Sequence, residues 1–292
     1  MRAVKLPVVV GVDGSEASLR AAEWAADEAV LRELPLRIVY ASLWERYEGS
    51  AVAEDLGERA EDVSARDIVD LAARRAAHGR PQLKVTTDIL PEDAEHALVG
   101  EGRNASVLVV GTRGRGGLAE VLLGSVSLGV AGRADCPLVV LRGSHDNQTV
   151  RPVRGRVVVG VGEGADDAPV VRFAAEEALR RGVPLHAVRA WRRPAREITG
   201  EAPTAGEPGG THERRAAEAL EAALAGVPPE TRVHRHTVEG HARGVLETAS
   251  READLLVVGT RRRRGQYGFQ LGRVTLAVLH HSTCPVAVVR HM

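Results

Sequence analysis

Gly111, Gly114, Gly124 and Ser125 are the residues whose types and spacing point to chemistry: two residues separate the first pair of glycines, and nine separate the second. They lie in residues 107–133, VLVVGTRGRGGLAEVLLGSVSLGVAGR, where an apolar run gives way to a glycine-rich turn and then to a helix-like segment. Backbone N–H groups approach phosphate oxygens closely where side chains are small, and a helix starting near Ser125 adds its positive dipole end. The pattern therefore suits phosphate binding without a metal cage or an invariant lysine. Arg113 and Arg115 flank the turn and could add charge-assisted hydrogen bonds to a triphosphate. The plainer reading is two solvated loop arginines; Arg113 stands evenly between the readings and Arg115 leans to the plainer one. Ser125 reads first as a helix N-cap, a role compatible with facing a phosphate.

A second candidate is Asp13, which follows the run 8–12 (VVVGV) and could accept hydrogen bonds from ribose hydroxyls or a base. By itself Asp13-Gly14 reads as a turn aspartate; beside the glycine turn the binding role overtakes that reading. Two decoys share the region. Residues 114–119 (GRGGLA) satisfy the dinucleotide pattern G-x-G-x-x-A, but after a fourth strand rather than the first, so the context is wrong. A P-loop requires Gly-Lys-Ser or Gly-Lys-Thr at the end of the glycine run, and neither occurs.

The elements that must position these residues come next. Residues 8–12 form a short β-branched run expected of a strand buried on both faces. Ser15 can cap a helix carrying Leu19, Ala22, Ala26 and Ala29 on one face, which should stop before Pro35. Residues 36–41 read as the second strand, 42–62 as a polar flexible loop, and the next helix ends near Gly79. A third strand covers 83–90, a helix follows over about 92–102, and 137–141 is the fifth strand. Strands alternating with helices predict a parallel sheet covered on both sides, with ligands bound beyond the carboxyl ends of the strands.

The chain repeats itself once. VVVGV recurs at 157–161, VLVVGT of 107–112 returns as LLVVGT at 255–260, and CPLVV of 136–140 returns as CPVAV at 284–288. This is a duplicated domain. The polar stretch 143–155 is the expected linker, giving domains at 1–143 and 156–292. The second copy should have a helix over about 167–181, and residues 194–210 should be its most mobile segment. At the site positions copy two has changed: Gly162 stands for Asp13, Arg262 for Gly114 and Arg273 for Ser125, so its site reads as degenerate.

Composition narrows the classes. The 292 residues suffice for two ordinary domains, with 44% hydrophobic and 27% charged residues, and 39 basic against 39 acidic side chains. That balance does not draw the chain to nucleic acid or to an acidic membrane. Only two cysteines occur, Cys136 and Cys284, each before proline, which is neither a disulfide framework nor a ligand cluster. With no signal-like or membrane-length apolar run, a cytoplasmic protein is expected. The run 261–264 reads as a solvated charged tip. His234 and His236, with His241 nearby, could be imagined as metal ligands, but exposed strand histidines are the favoured reading, as for His280 and His281. There is no catalytic nucleophile, and no metal ligand is assigned.

The spacing Gly111-x-x-Gly114, nine residues, Gly124-Ser125, together with 8–15 (VVVGVDGS) and the Cys136-Pro137 strand, resembles the universal stress protein family over nearly the whole chain, as two tandem copies like its actinobacterial two-domain members. The resemblance implies two five-stranded parallel α/β domains, Rossmann-like and of the adenine nucleotide alpha hydrolase-like kind. It implies that Asp13 and Ala41 hold adenosine with Val110 beside them. Gly111, Arg113, Gly114, Gly124, Ser125 and Val126 would then hold the phosphates of ATP, often with a divalent cation such as magnesium. It also implies pairing through the last strands, so that 137–141 and 285–289 would form the contact between the two copies, which could leave a monomer; exposed faces could still assemble a homo-oligomer, and an unidentified regulatory protein partner is expected. The expected function is an ATP-binding regulator of a stress response, with at most slow hydrolysis because no general base is visible. The alternatives are an interaction protein with a vestigial nucleotide site and, more weakly, a dinucleotide-binding enzyme.

Overall fold

Each strand run read from the first copy forms a strand in the computed structural model, which describes residues 5–43, 65–112, 123–141, 154–162, 167–193, 208–260 and 271–291. The chain divides into two units. The first contains β1 (Val8–Val12), α1 (Glu16–Leu31), β2 (Leu36–Ala41), α2 (Ala65–Ala77), β3 (Val85–Leu90), α3 (Ala94–Gly102), β4 (Val107–Gly111), α4 (Ser125–Arg133) and β5 (Leu138–Leu141). The second contains β6 (Val157–Gly160), α5 (Ala168–Arg181), β7 (Leu185–Trp191), α6 (Pro208–Leu224), β8 (Val233–Glu239), α7 (Ala242–Ser250), β9 (Leu255–Thr260), α8 (Arg273–His281) and β10 (Val286–Arg290). Among the described residues no helix is long and apolar enough to cross a membrane.

Within the first unit the strands run β3-β2-β1-β4-β5 and within the second β8-β7-β6-β9-β10, all parallel. The two units thus share one topology. Val8, Val9 and Val10 are fully buried, as are Val107, Leu108 and Val109, so both faces of the central strands are covered. Each such side chain contributes about 1.5–3 kcal/mol relative to exposure.

The helices follow their sequence signals, with shifts at the ends. Ser15 caps α1, its hydroxyl accepting the Ser18 N–H at 3.2 Å, and Leu19, Ala22, Ala26 and Ala29 are all buried as expected. The third strand begins at Val85 rather than 83 because Leu83 is still in a turn, its N–H donating to the Arg80 carbonyl at 3.1 Å. α3 begins at Ala94 rather than 92 because Asp93 caps it, accepting the His96 N–H at 3.0 Å. In copy two α6 starts at Pro208, so the last three residues of the stretch expected to be mobile are helical; proline is tolerated in a first helical turn. Residues 194–207, and 44–62 of the expected first-copy loop, lie outside the described residues.

Two packing devices occur in both units. A Cβ on Gly11 would lie 2.7 Å from Cδ1 of Leu98, and one on Gly160 would lie 2.9 Å from Cδ1 of Leu246, so a leucine of α3 or α7 is seated on a bare strand glycine. Glu28 and Arg32 pair at 2.5 Å beneath α1, and Glu177 and Arg181 at 2.9 Å beneath α5, with both glutamates 1% exposed.

Candidate functional site

From β1 the first unit's chain winds outward through β2 and β3, then returns to the other side of β1 as β4. The order switches between β1 and β4, and ligands of open parallel sheets bind at such a point, beyond the carboxyl strand ends. The register pairs Val10 with Val109, so Asp13 after β1 and Thr112 after β4 leave the sheet side by side. It also pairs Val12 with Tyr40, so Ala41 lies level with Asp13. The expected adenosine residues Asp13 and Ala41 are therefore neighbours at one rim, and the end of β4 lies across β1 from Ala41. Val110 itself is buried at 3% exposure and supports that rim from within the core.

Asp13 is held by a tight turn. Its Oδ1 accepts the Ser15 N–H at 3.0 Å, its own N–H donates to the Ser18 hydroxyl at 3.2 Å, and that hydroxyl donates to the Ser15 carbonyl at 2.8 Å. Gly14 adopts φ +83°, which glycine takes without strain. The turn reading of Asp13 is thus realised. It engages one carboxylate oxygen and fixes the direction of the other.

The β4 end is built on small residues. A Cβ on Gly111 would lie 3.0 Å from the carbonyl carbon and oxygen of Ala17 and 3.2 Å from the Ser18 nitrogen, so the first turn of α1 presses against bare backbone. Ser127 donates its hydroxyl to the Gly111 carbonyl at 2.7 Å, tying α4 to the strand, and the Gly124 N–H donates to the Thr112 carbonyl at 2.7 Å. The chain that leaves β4 at Thr112 therefore returns to the same point twelve residues on, at N-cap Gly124. Here the structure corrects one expectation: Gly124, not Ser125, is the N-cap, because the helical backbone begins at Ser125 itself. Gly124 makes no side-chain cap, so the opening N–H groups of α4, those of Ser125 and Val126 among them, lack the oxygen a serine cap would supply; such groups form anion sites. Arg113 and Gly114 lie outside the described residues.

Copy two keeps the framework and changes the contents. Thr275 replaces Ser127, donating to the Gly259 carbonyl at 3.0 Å, and Gly272 is again an N-cap without side-chain bonding. At the rim, however, Asp167 stands where Ser18 is. Its Oδ2 accepts the Gly162 N–H at 2.6 Å, and its Oδ1 lies 3.5 Å from Nδ1 of His291, with both side chains under a tenth exposed. A Cβ on Gly259 would collide with the His291 ring. Arg189 also donates to the Gly162 carbonyl. The end of β9 is thus lined by an imidazole, and a buried carboxylate sits at the start of α5, where it would oppose a phosphate. Gly162 and Arg273 fall at their expected places, with Arg273 opening α8; Arg262 lies outside the described residues.

The sequence reading did not single out Asp167, His291 or His186. His186 joins the histidines of β8: its Nδ1 is 3.1 Å from Nε2 of His236, and its ring stacks on His234 with centroids 4.7 Å apart. Burial, then Arg156 and the neighbouring imidazoles, lower His186 from its ordinary 6.5 to about 4, and His236 is lowered too, chiefly by burial. His241 occupies the N-cap position of α7 without a side-chain capping bond, and its Nε2 lies 3.2 Å from Nη1 of Arg192. Cys136 and Cys284 are buried, and burial pushes the Cys284 thiol up to about 12.

Comparison with known proteins gives one family. The model of the universal stress protein family matches twice, over residues 6–142 and 154–290. A universal stress protein of Mycolicibacterium smegmatis is 32% identical over 302 residues, covering 99% of this chain and 98% of its own length. One from Mycobacterium tuberculosis H37Rv is 35% identical over 301 residues, covering 97% and 96%. The crystal structure of a universal stress protein from Archaeoglobus fulgidus superimposes with a TM-score of 0.62 at 18% identity, covering 99% of this chain and 100% of its own, and so shares the fold.

Proposed function

Because the chain belongs to the universal stress protein family, we propose that its first domain, residues 1–143, binds ATP and that the second, residues 156–292, does not. Asp13 and Ala41 hold the adenosine, with Val110 beneath them, and the phosphates lie on Gly111, Arg113, Gly114, Gly124, Ser125 and Val126. The observation that carries this reading is the meeting, at the β1–β4 switch point, of a fixed carboxylate with a helix start that has no side-chain cap. A divalent cation such as magnesium fits the same reading as a counter-ion carried by the phosphates.

Binding, rather than turnover, is the function this supports. The proposed machinery is backbone N–H groups, the Arg113 side chain and one carboxylate whose Oδ1 is committed to a turn, so ATP serves as a state signal, and a protein partner responds to it in a stress response. In copy two the buried Asp167 takes the electrostatic position a phosphate would need, and His291 fills the space beside Gly259.

Calorimetry of the intact chain with ATP, AMP and NADH tests this. ATP should bind, NADH should not, and Gly114→Glu should abolish ATP binding by placing bulk and negative charge in the phosphate path. Absence of ATP binding at millimolar concentration would leave the interaction-protein reading; preferential NADH binding would favour a dinucleotide enzyme.

A further inference from the structure

In the first unit the face of β2 and β3 carries an ion network: Arg37 Nε lies 3.2 Å from Oδ2 of Asp88, and Nη2 donates to Oε1 of Glu101 at 3.2 Å. The repeat places His186, His236 and Ala249 at the matching positions of β7, β8 and α7. Copy two has therefore lost the arginine and both carboxylates and put two imidazoles in their place. The register sets His186 beside His234, and residues two apart on a strand share a face, so His186, His234 and His236 stand together.

We infer that His186 and His236 form a binding site for a borderline divalent transition-metal ion of the zinc, nickel or copper class. Imidazole nitrogen is a preferred ligand for all three. Two nitrogens on one tetrahedral zinc stand about 3.4 Å apart at a bond length of about 2.1 Å, so Nδ1 of His186 and Nε2 of His236, now 3.1 Å apart, must part slightly while each ring turns so that both lone pairs meet off the line joining them. One of these facing nitrogens carries the proton they share. On metal binding that proton moves to the far nitrogen of its own ring, a tautomer change that leaves both lone pairs on the metal and both rings neutral.

The surroundings favour the ion. The nearby cation, Arg156, is already paired with Glu252 at 2.9 Å. The two imidazoles wall a cavity of about 590 Å³ whose surface is largely apolar, with Val188, Val238 and Val245 in its lining beside His241 and Glu252. Among the described residues no three histidine, cysteine or acidic side chains converge as a ready-made metal cage. The protein thus supplies two ligands, and water or a small exogenous ligand in the cavity completes the shell. The site lies on the sheet face, not at the strand ends, and does not depend on nucleotide binding.

The test is titration of untagged, full-length protein with ZnCl2, and with CuSO4 followed by electron paramagnetic resonance. One equivalent should bind, and two nitrogen couplings should appear on copper. His186→Gln and His236→Gln should each weaken zinc by about tenfold or more, whereas His280→Gln should leave it unchanged. The double variant His186→Arg/His236→Asp installs copy one's ion pair; circular dichroism should show it folded, and zinc binding should be lost. Unchanged zinc affinity in the folded double variant, or no binding by the parent protein at sub-millimolar zinc, overturns the assignment.

Discussion

Replacing Gly111 by alanine tests whether the candidate rim depends on direct backbone contact between α1 and β4. The added Cβ would lie 3.0 Å from the carbonyl carbon and oxygen of Ala17 and 3.2 Å from the Ser18 nitrogen. Ordinary carbon contacts are about 3.5–4.0 Å. None of these atoms belongs to a movable side chain, and the turn holding them is fastened by the Ser15 cap and by the Leu19 N–H to Ser15 carbonyl bond at 3.0 Å. The start of α1 must therefore shift. Overpacking of this kind costs about 1–3 kcal/mol, which raises local opening about five- to 150-fold at an RT of about 0.59 kcal/mol. Hydrogen exchange of the β1 and β4 peptides, read by mass spectrometry, measures this directly. Gly259→Ala is the internal control: there the new atom meets mainly the His291 ring, which can rotate away, so β9 exchange should rise less than β4 exchange does. Unchanged β4 exchange in Gly111→Ala, or a larger effect from Gly259→Ala, would refute the reasoning.

Three further outcomes follow from particular contacts. Ser18→Asp transplants copy two's buried carboxylate beneath the proposed phosphate site and should weaken ATP binding by about tenfold or more, about 1.4 kcal/mol; undiminished affinity by calorimetry would contradict the electrostatic account of copy two. Glu28→Gln removes the carboxylate that lies 2.5 Å from the Arg32 guanidinium, whose side chain is 8% exposed, and should destabilise the protein in urea unfolding by more than Glu28→Leu/Arg32→Met, which removes both charges together. Equal losses in the two variants would rule out the loss of charge pairing as the cause. Cys284, with its thiol raised to about 12 by burial, stays protonated at pH 8, so Ellman's reagent should leave it unmodified until the protein is unfolded.

The strands were legible because buried parallel strands read as β-branched runs, and the duplication was legible because those runs recur in order. The placement of Asp13 beside the end of β4 followed from the alternation of strands and helices. What escaped the sequence was set by register and by side chains meeting across it. His186 stands alone in its segment and acquires meaning only when β7 pairs with β8. The Asp167–His291 contact joins the start of α5 to the residue after β10, a meeting that no local pattern encodes. The N-cap shift from Ser125 to Gly124 is a one-residue matter of where helical dihedrals begin, which composition does not fix. The proposal that copy two's site is degenerate rests in the sequence on Gly162, Arg262 and Arg273. The structure adds the positions of Asp167 and His291 at the same rim.

The central claim is that ATP occupies one copy and not the other, and photolabelling locates it most directly. Intact protein irradiated with 8-azido-ATP, digested and mapped by mass spectrometry, should carry the label on first-domain peptides around the ends of β1, β2 and β4. Excess ATP should abolish that labelling, and Asp13→Ala should weaken it strongly. Labelling of the second domain around β6 and β9, or labelling that excess ATP fails to displace, would contradict the claim.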